Sequence, residues 1–128
     1  PPKLSSDSNP NLSAEMDAND NSIGFLIQTA TGDGTTTFDF TKGNKLRFTF
    51  GAQNETFVFT DPTNSGSLQL ILIQDGVGSR TVTWPVNVEW VGQTPAELST
   101  APNSKDIISF LYDANADIYY GAISADFG

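Results

Sequence analysis

From Ile23 onward the chain alternates apolar and polar positions with a period of two, the signature of strands that bury one face and wet the other. Phe38 and Phe40 flank Asp39, Leu46, Phe48 and Phe50 alternate with Lys45, Arg47 and Thr49, and Phe57 and Phe59 flank Val58. Gly43-Asn44 and Ala52-Gln53-Asn54 separate these runs as turns, so a meander of antiparallel strands is predicted. Over 68–73 the alternation breaks. Leu68, Leu70 and Leu72 point one way, while Ile71 and Ile73 form a second apolar face. A strand apolar on both faces is central in a packed sandwich or carries a subunit interface on its outer side.

Asp75-Gly76-Val77-Gly78 predicts a hairpin turn that returns the chain into Thr81-Val82-Thr83-Trp84. Pro85 then interrupts the ladder, which marks an edge strand or a bulge, and Val86, Val88 and Trp90 resume the alternation. Residues 91–105 contain Pro95 and Pro102 without periodicity and read as a long crossover loop. Two closing strands, over 107–112 and 118–123, flank the turn 113–117. About nine short strands and no useful helical segment predict an all-β fold, an antiparallel β-sandwich or jelly-roll-like domain over 23–128. Residues 1–22 read as an extended N-terminal arm, because Pro1, Pro2, Pro10 and the run Ser5-Ser6-Asp7-Ser8-Asn9 cannot build a core.

Composition narrows the chemistry. With 128 residues the chain can bury about two thirds of its unfolded surface without a staple. It contains no Cys and no His, which removes disulfides, thiol nucleophiles, thiolate metal sites and every histidine-based triad. Six basic residues against fifteen acidic ones give a net charge of −9, the wrong sign for a nucleic-acid partner. No apolar run is long enough to span a membrane, so no membrane partner is expected. The chain starts at Pro1 rather than Met, so either an initiator Met was removed or this is a piece of a longer polypeptide.

The remaining chemical candidates are weak. Asp17, Asn19 and Asn21 match the first ligand positions of a calcium loop, but Ser22 stands where Gly is needed and Gln28 where the bidentate Glu is needed. Asp113 and Asp117 bracket a turn and could share a cation, although turn carboxylates usually bond backbone N–H groups. Glu89 and Asp39 lie on wet strand faces with nothing to bring them together as a glycosidase pair. Trp84, Trp90, Tyr112, Tyr119 and Tyr120 could form a sugar platform, but the tryptophans alternate as core residues do. Tyr119 and Tyr120 must face opposite ways, so one of them faces solvent or a partner. Asn11-Leu12-Ser13 and Asn54-Glu55-Thr56 fit the glycosylation pattern, which carries little weight without a secretory signal. No catalytic residue, metal or cofactor is therefore expected.

The segment Gln74-Asp75-Gly76-Val77-Gly78-Ser79-Arg80-Thr81-Val82-Thr83-Trp84-Pro85 is more distinctive. It resembles a motif of tailed-bacteriophage virion structural proteins, found in tail fibres and appendages as a hairpin before a V-x-W strand. Leu98-Ser99-Thr100-Ala101-Pro102-Asn103, Asp106-Ile107-Ile108-Ser109-Phe110 and the lead-in Leu12 to Ile23 are similar as well. The resemblance implies a β-sandwich module that is typically trimeric and not an enzyme. It places the chain in the virion, on the capsid surface or in a tail appendage. A complete chain fits a capsid decoration or head-fibre protein held by its arm, and a fragment fits a tail-fibre or receptor-binding module. The expected partners are further copies of the chain, the major capsid protein or a tail or fibre protein, and a host surface glycan. Leu12, Met16, Ile71 and Ile73 are the expected interface residues, and Asp75, Gly76, Gly78, Arg80, Trp84 and Pro85 are read as bracing the fold.

Overall fold

A computed structural model describes residues 17–128. Its strands are β1 (Gln28–Thr31), β2 (Thr35–Asp39), β3 (Lys45–Thr49), β4 (Glu55–Thr60), β5 (Gly66–Ile73), β6 (Val82–Thr83), β7 (Val88–Trp90), β8 (Lys105–Asp113) and β9 (Ile118–Phe127). A single turn of 3-10 helix, Val91–Gln93, follows β7. Six strands form one sheet in the order β1-β3-β5-β8-β9-β7, and three form the other in the order β2-β4-β6. The fold is thus an all-β, sandwich-like domain, as the period-two pattern predicts.

The pairing is not the predicted meander. From β1 to β6 every connection crosses from one sheet to the other, so each strand pairs with the strand two places earlier. These pairings are parallel: β1 with β3 with β5, and β2 with β4 with β6. β7 also runs parallel to β9, and only β5–β8 and β8–β9 are antiparallel. The antiparallel, jelly-roll-like arrangement is therefore corrected to a mixed one. The physical reason lies in the connections. Three extended residues span about 10 Å, the distance between packed sheets, so Gly32-Asp33-Gly34 suffices to cross the core. Alternation says that one face is buried and leaves open whether the next strand lies beside or opposite.

The crossings stack on one another. The Gly32 N–H donates to the Thr49 carbonyl at 2.8 Å, and a Cβ on Gly51 would lie 2.5 Å from the Gly32 oxygen, so only glycine fits there. Between the sheets sit Phe38, Phe40, Leu46, Phe48, Phe50, Phe57, Leu68, Leu70, Leu72, Ile108, Phe110, Tyr112 and Tyr119. The rings meet mostly edge to face, for example Phe38–Phe57 at 4.7 Å and Phe48–Phe57 at 5.0 Å. Such pairs contribute about 0.5–1.5 kcal/mol each beyond area burial. The smaller sheet stops at β6, an edge strand that ends just before Pro85. Trp84 and Trp90, 5.0 Å apart, close the core over Phe110, joined by Ala96 and Leu98 from the long loop.

Candidate functional site

The predicted hairpin at 74–80 is instead a corner, because β5 and β6 belong to different sheets. Its side chains fold it on itself. The Gln74 side chain accepts the Arg80 N–H at 3.0 Å and donates to the Arg80 carbonyl at 2.9 Å. Asp75 Oδ1 accepts the Gly78 N–H at 2.8 Å, and Asp75 Oδ2 takes both Nε and a terminal nitrogen of Arg80 at 3.1 and 2.8 Å. The Arg80 hydrogen bonds, then the Gly78 N–H, hold the Asp75 carboxyl below its usual range. The corner also binds the long loop: Ser79 N–H donates to Thr100, and Asn103 N–H to Asp75. Gly76 and Ser79 stay exposed, while Trp84 is half-buried against Phe57 and Pro85 follows it.

Two buried carboxylates escaped the sequence reading. Glu55 Oε2 accepts the Gly34 N–H at 2.6 Å and Oε1 the Thr36 hydroxyl at 2.7 Å. Asp106 accepts the Ser99 N–H and hydroxyl at 2.8 and 2.6 Å and the Asp126 N–H at 2.9 Å. Both stand in phase with an apolar face, Glu55 with Phe57 and Asp106 with Ile108 and Phe110, and that phase was the available signal. Asp61 was missed because it stands outside any strand, yet it accepts the buried Tyr119 hydroxyl at 2.5 Å.

The weak candidates stay apart. Asp17 Oδ1 accepts the Asn19 N–H and the Asn21 side chain donates to Ala18 and Asn19, a local turn. Asp113 bonds the N–H groups of Asn115 and Ala116, while Asp117 takes the Tyr112 hydroxyl and the Asn87 amide. Among the described residues no three carboxylates gather in a way that could hold a metal ion. Asp39 lies on β2 and Glu89 on β7, in different sheets. Asp39 is occupied by the Thr41 hydroxyl and N–H, which lower its pKa in that order.

The outer face of the six-stranded sheet has a different character. Register places Arg47, Ile71, Ile107 and Ser124 in one row across β3, β5, β8 and β9, and Thr49, Ile73, Lys105 and Phe127 in the next. On the other side run Lys45, Gln69 and Ser109, then Leu111, Tyr120 and Glu89. Residues 23–27 lie against this face as a strap, with Ile23, Phe25 and Ile27 lining a groove of about 360 Å³ together with Lys45, Ile71 and Ile107. Lys45 Nζ sits 5.7 Å above the Phe25 ring and donates to Gln69 at 2.8 Å. Ile71 lines this groove and is half-buried; Ile73, one row away and outside the groove, is half-buried too. Leu12 and Met16 lie outside the described residues.

Residues 48–117 match the family model of phage tail fibre C-terminal domains. The chain belongs to that family. The match favours a tail-fibre part over a capsid decoration protein. No curated protein and no solved structure matches the chain. The segment shared with the tail-fibre family runs from within β3 to the turn after β8, so it contains the whole 74–80 corner, Asp106 and the two central strands of the outer face, β5 and β8, while Lys45 and Arg47 precede it. β1, β2 and β9 lie outside it.

Proposed function

We propose that the chain is a non-enzymatic structural module of a phage tail fibre, assembled as a homotrimer and joined to neighbouring virion proteins through its N-terminal arm. The observation that carries this reading is the family match over 48–117. Three features of the molecule support it. The distinctive 74–80 segment spends its side chains on its own corner, the tryptophans close the core, and Asp39 and Glu89 stand in different sheets. Cryo-imaging of virions carrying a labelled copy tests the placement: label on the tail appendage is expected, and label on the capsid shell would overturn it. Purified protein is expected to leave capsular polysaccharide uncleaved, and cleavage would refute the non-enzymatic part.

A host-surface glycan as ligand is a second reading, favoured by one observation. Tyr120 is 45% exposed and paired with Glu89, so an aromatic ring and a carboxylate share one open edge of the sheet. Glycan-array binding that disappears in Tyr120→Ala would support it, and an array without hits would remove it.

A further inference from the structure

Two independent distributions single out the outer face of the six-stranded sheet. The first is aromatic and apolar. Of nine Phe, two Trp and three Tyr, only Phe25, Tyr120 and Phe127 stay out of the core cluster. All three belong to this face: Phe25 on the strap, Tyr120 in register with Leu111, and Phe127 in register with Lys105. Leu26 on the strap is 93% exposed and Leu111 56%. Exposed large apolar side chains thus gather on this face, interrupted by the row Lys45, Gln69 and Ser109, and such a gathering marks a contact site.

The second distribution is charge. The chain carries −9, yet three of the five described cations, Lys45, Arg47 and Lys105, stand on this one face. Among the described residues the ion pair is Arg80–Asp75, at the corner, and none of the three forms an ion pair with another described residue. Ile71 and Ile107 run between Arg47 and Lys105 in neighbouring rows. At the end of the face away from Glu89, a segment that carries both apolar and acidic groups complements this arrangement.

The chain itself contains such a segment. Leu12-Ser13-Ala14-Glu15-Met16-Asp17-Ala18-Asn19-Asp20 carries Leu12 and Met16 among Glu15, Asp17 and Asp20, with no basic residue. It leads directly into the strap that lies on the same face. Leu12 stands eleven residues before Ile23, and extended that stretch reaches at most about 37 Å, the scale of a neighbouring small domain.

We infer that the outer face of the six-stranded sheet is the contact between copies of this chain, where the acidic lead-in 12–20 of one copy seats on the Arg47–Ile71–Ile107–Lys105 surface of the next. A chain of copies in which each lead-in seats on the next copy is a head-to-tail contact, which closes into a ring when the rotation permits. Fifteen acidic residues oppose assembly through self-repulsion, and placing the cations at the contact offsets that repulsion where it matters. The inference rests on the tail-fibre reading only for the expectation that several copies assemble.

The test uses the full 128-residue chain in sedimentation and native mass measurements across a salt series. The wild type is expected to assemble, and its association constant to fall about tenfold or more as salt rises from roughly 0.05 to 0.5 M. Arg47→Glu with Lys105→Glu is expected to weaken assembly about tenfold, as is Glu15→Lys with Asp17→Lys and Asp20→Lys. The chain carrying all five substitutions restores the charge match and should reassemble. A variant damaged in folding could not be rescued in that way, and the tryptophan fluorescence of Trp84 and Trp90 checks each fold directly. A monomeric wild type, reversed variants that assemble as well as wild type, or no recovery in the five-fold variant would each overturn the contact. Any of those results leaves the tail placement standing, because that placement is decided by the label on the virion.

Discussion

Gly78 shows how one residue can hold a corner. Its φ of +83° lies in the region that side chains avoid, and a Cβ there would collide with the Thr100 carbonyl. Gly76, two positions away, has an ordinary φ and open space around it. Gly78→Ala is therefore expected to cost about 2 kcal/mol or more in urea unfolding, and Gly76→Ala less than about 1 kcal/mol. Equal midpoints for the two variants would contradict the corner as described. Both glycines look alike in the sequence, where each merely permits a turn. What separates them is the approach of residues 100–102, a contact between segments more than twenty positions apart.

At the scale of elements, the buried Asp106 ties three pieces together: β8, the loop at Ser99 and the bulged end of β9 at Asp126. Asp106→Ala removes the acceptor for two backbone N–H groups and a hydroxyl, at a cost of about 3 kcal/mol. Hydrogen exchange should quicken first at Ser99 and Asp126, while the amides of β3 and β5 remain slow. Uniform quickening along the chain would show that Asp106 does not act locally. The period-two pattern located β3, β4, β5, β8 and β9, because burying one face is a property of each strand alone. It misassigned the pairing, because hairpin and crossover produce the same alternation. The turn that closes β8 onto β9 was legible, since Asp113 bonds the N–H groups within its own few residues.

For the whole molecule, the pH response follows from which groups titrate. The chain has no His and no Cys, so stability should be nearly level from about pH 6 to 9. On the acid side, Asp75 and Asp39 hold pKa values below the ordinary 3.8, so they bind protons less readily when folded. Their stabilisation is present above that value and fades as the pH falls through it. On the alkaline side, burial first, then the hydrogen bond to Asp117, pushes Tyr112 from 10.0 up to about 12. Burial and the bond to Asp61 raise Tyr119 as well. These tyrosines keep their protons when folded at a pH where the unfolded chain loses them, so stability is whole below pH 10 and falls as the pH rises through about 12. Melting temperature measured against pH should show this plateau with two falling edges, and Tyr119→Phe should make the alkaline edge shallower. A slope near pH 6.5 would refute it.

The sequence by itself determined that this protein is built of strands, where most of them run, and which chemistries it lacks. Those properties depend on the identity of each residue and on its neighbours one or two positions away. The tertiary structure alone decided that β1 to β6 coil between two sheets and that the 74–80 segment is a corner rather than a hairpin. It also gathered Lys45, Arg47 and Lys105 around Ile71 and Ile107 on one face. The pairing of β3 with β5 joins residues 24 positions apart across an intervening strand of the other sheet, and no local pattern records which strand lies beside which.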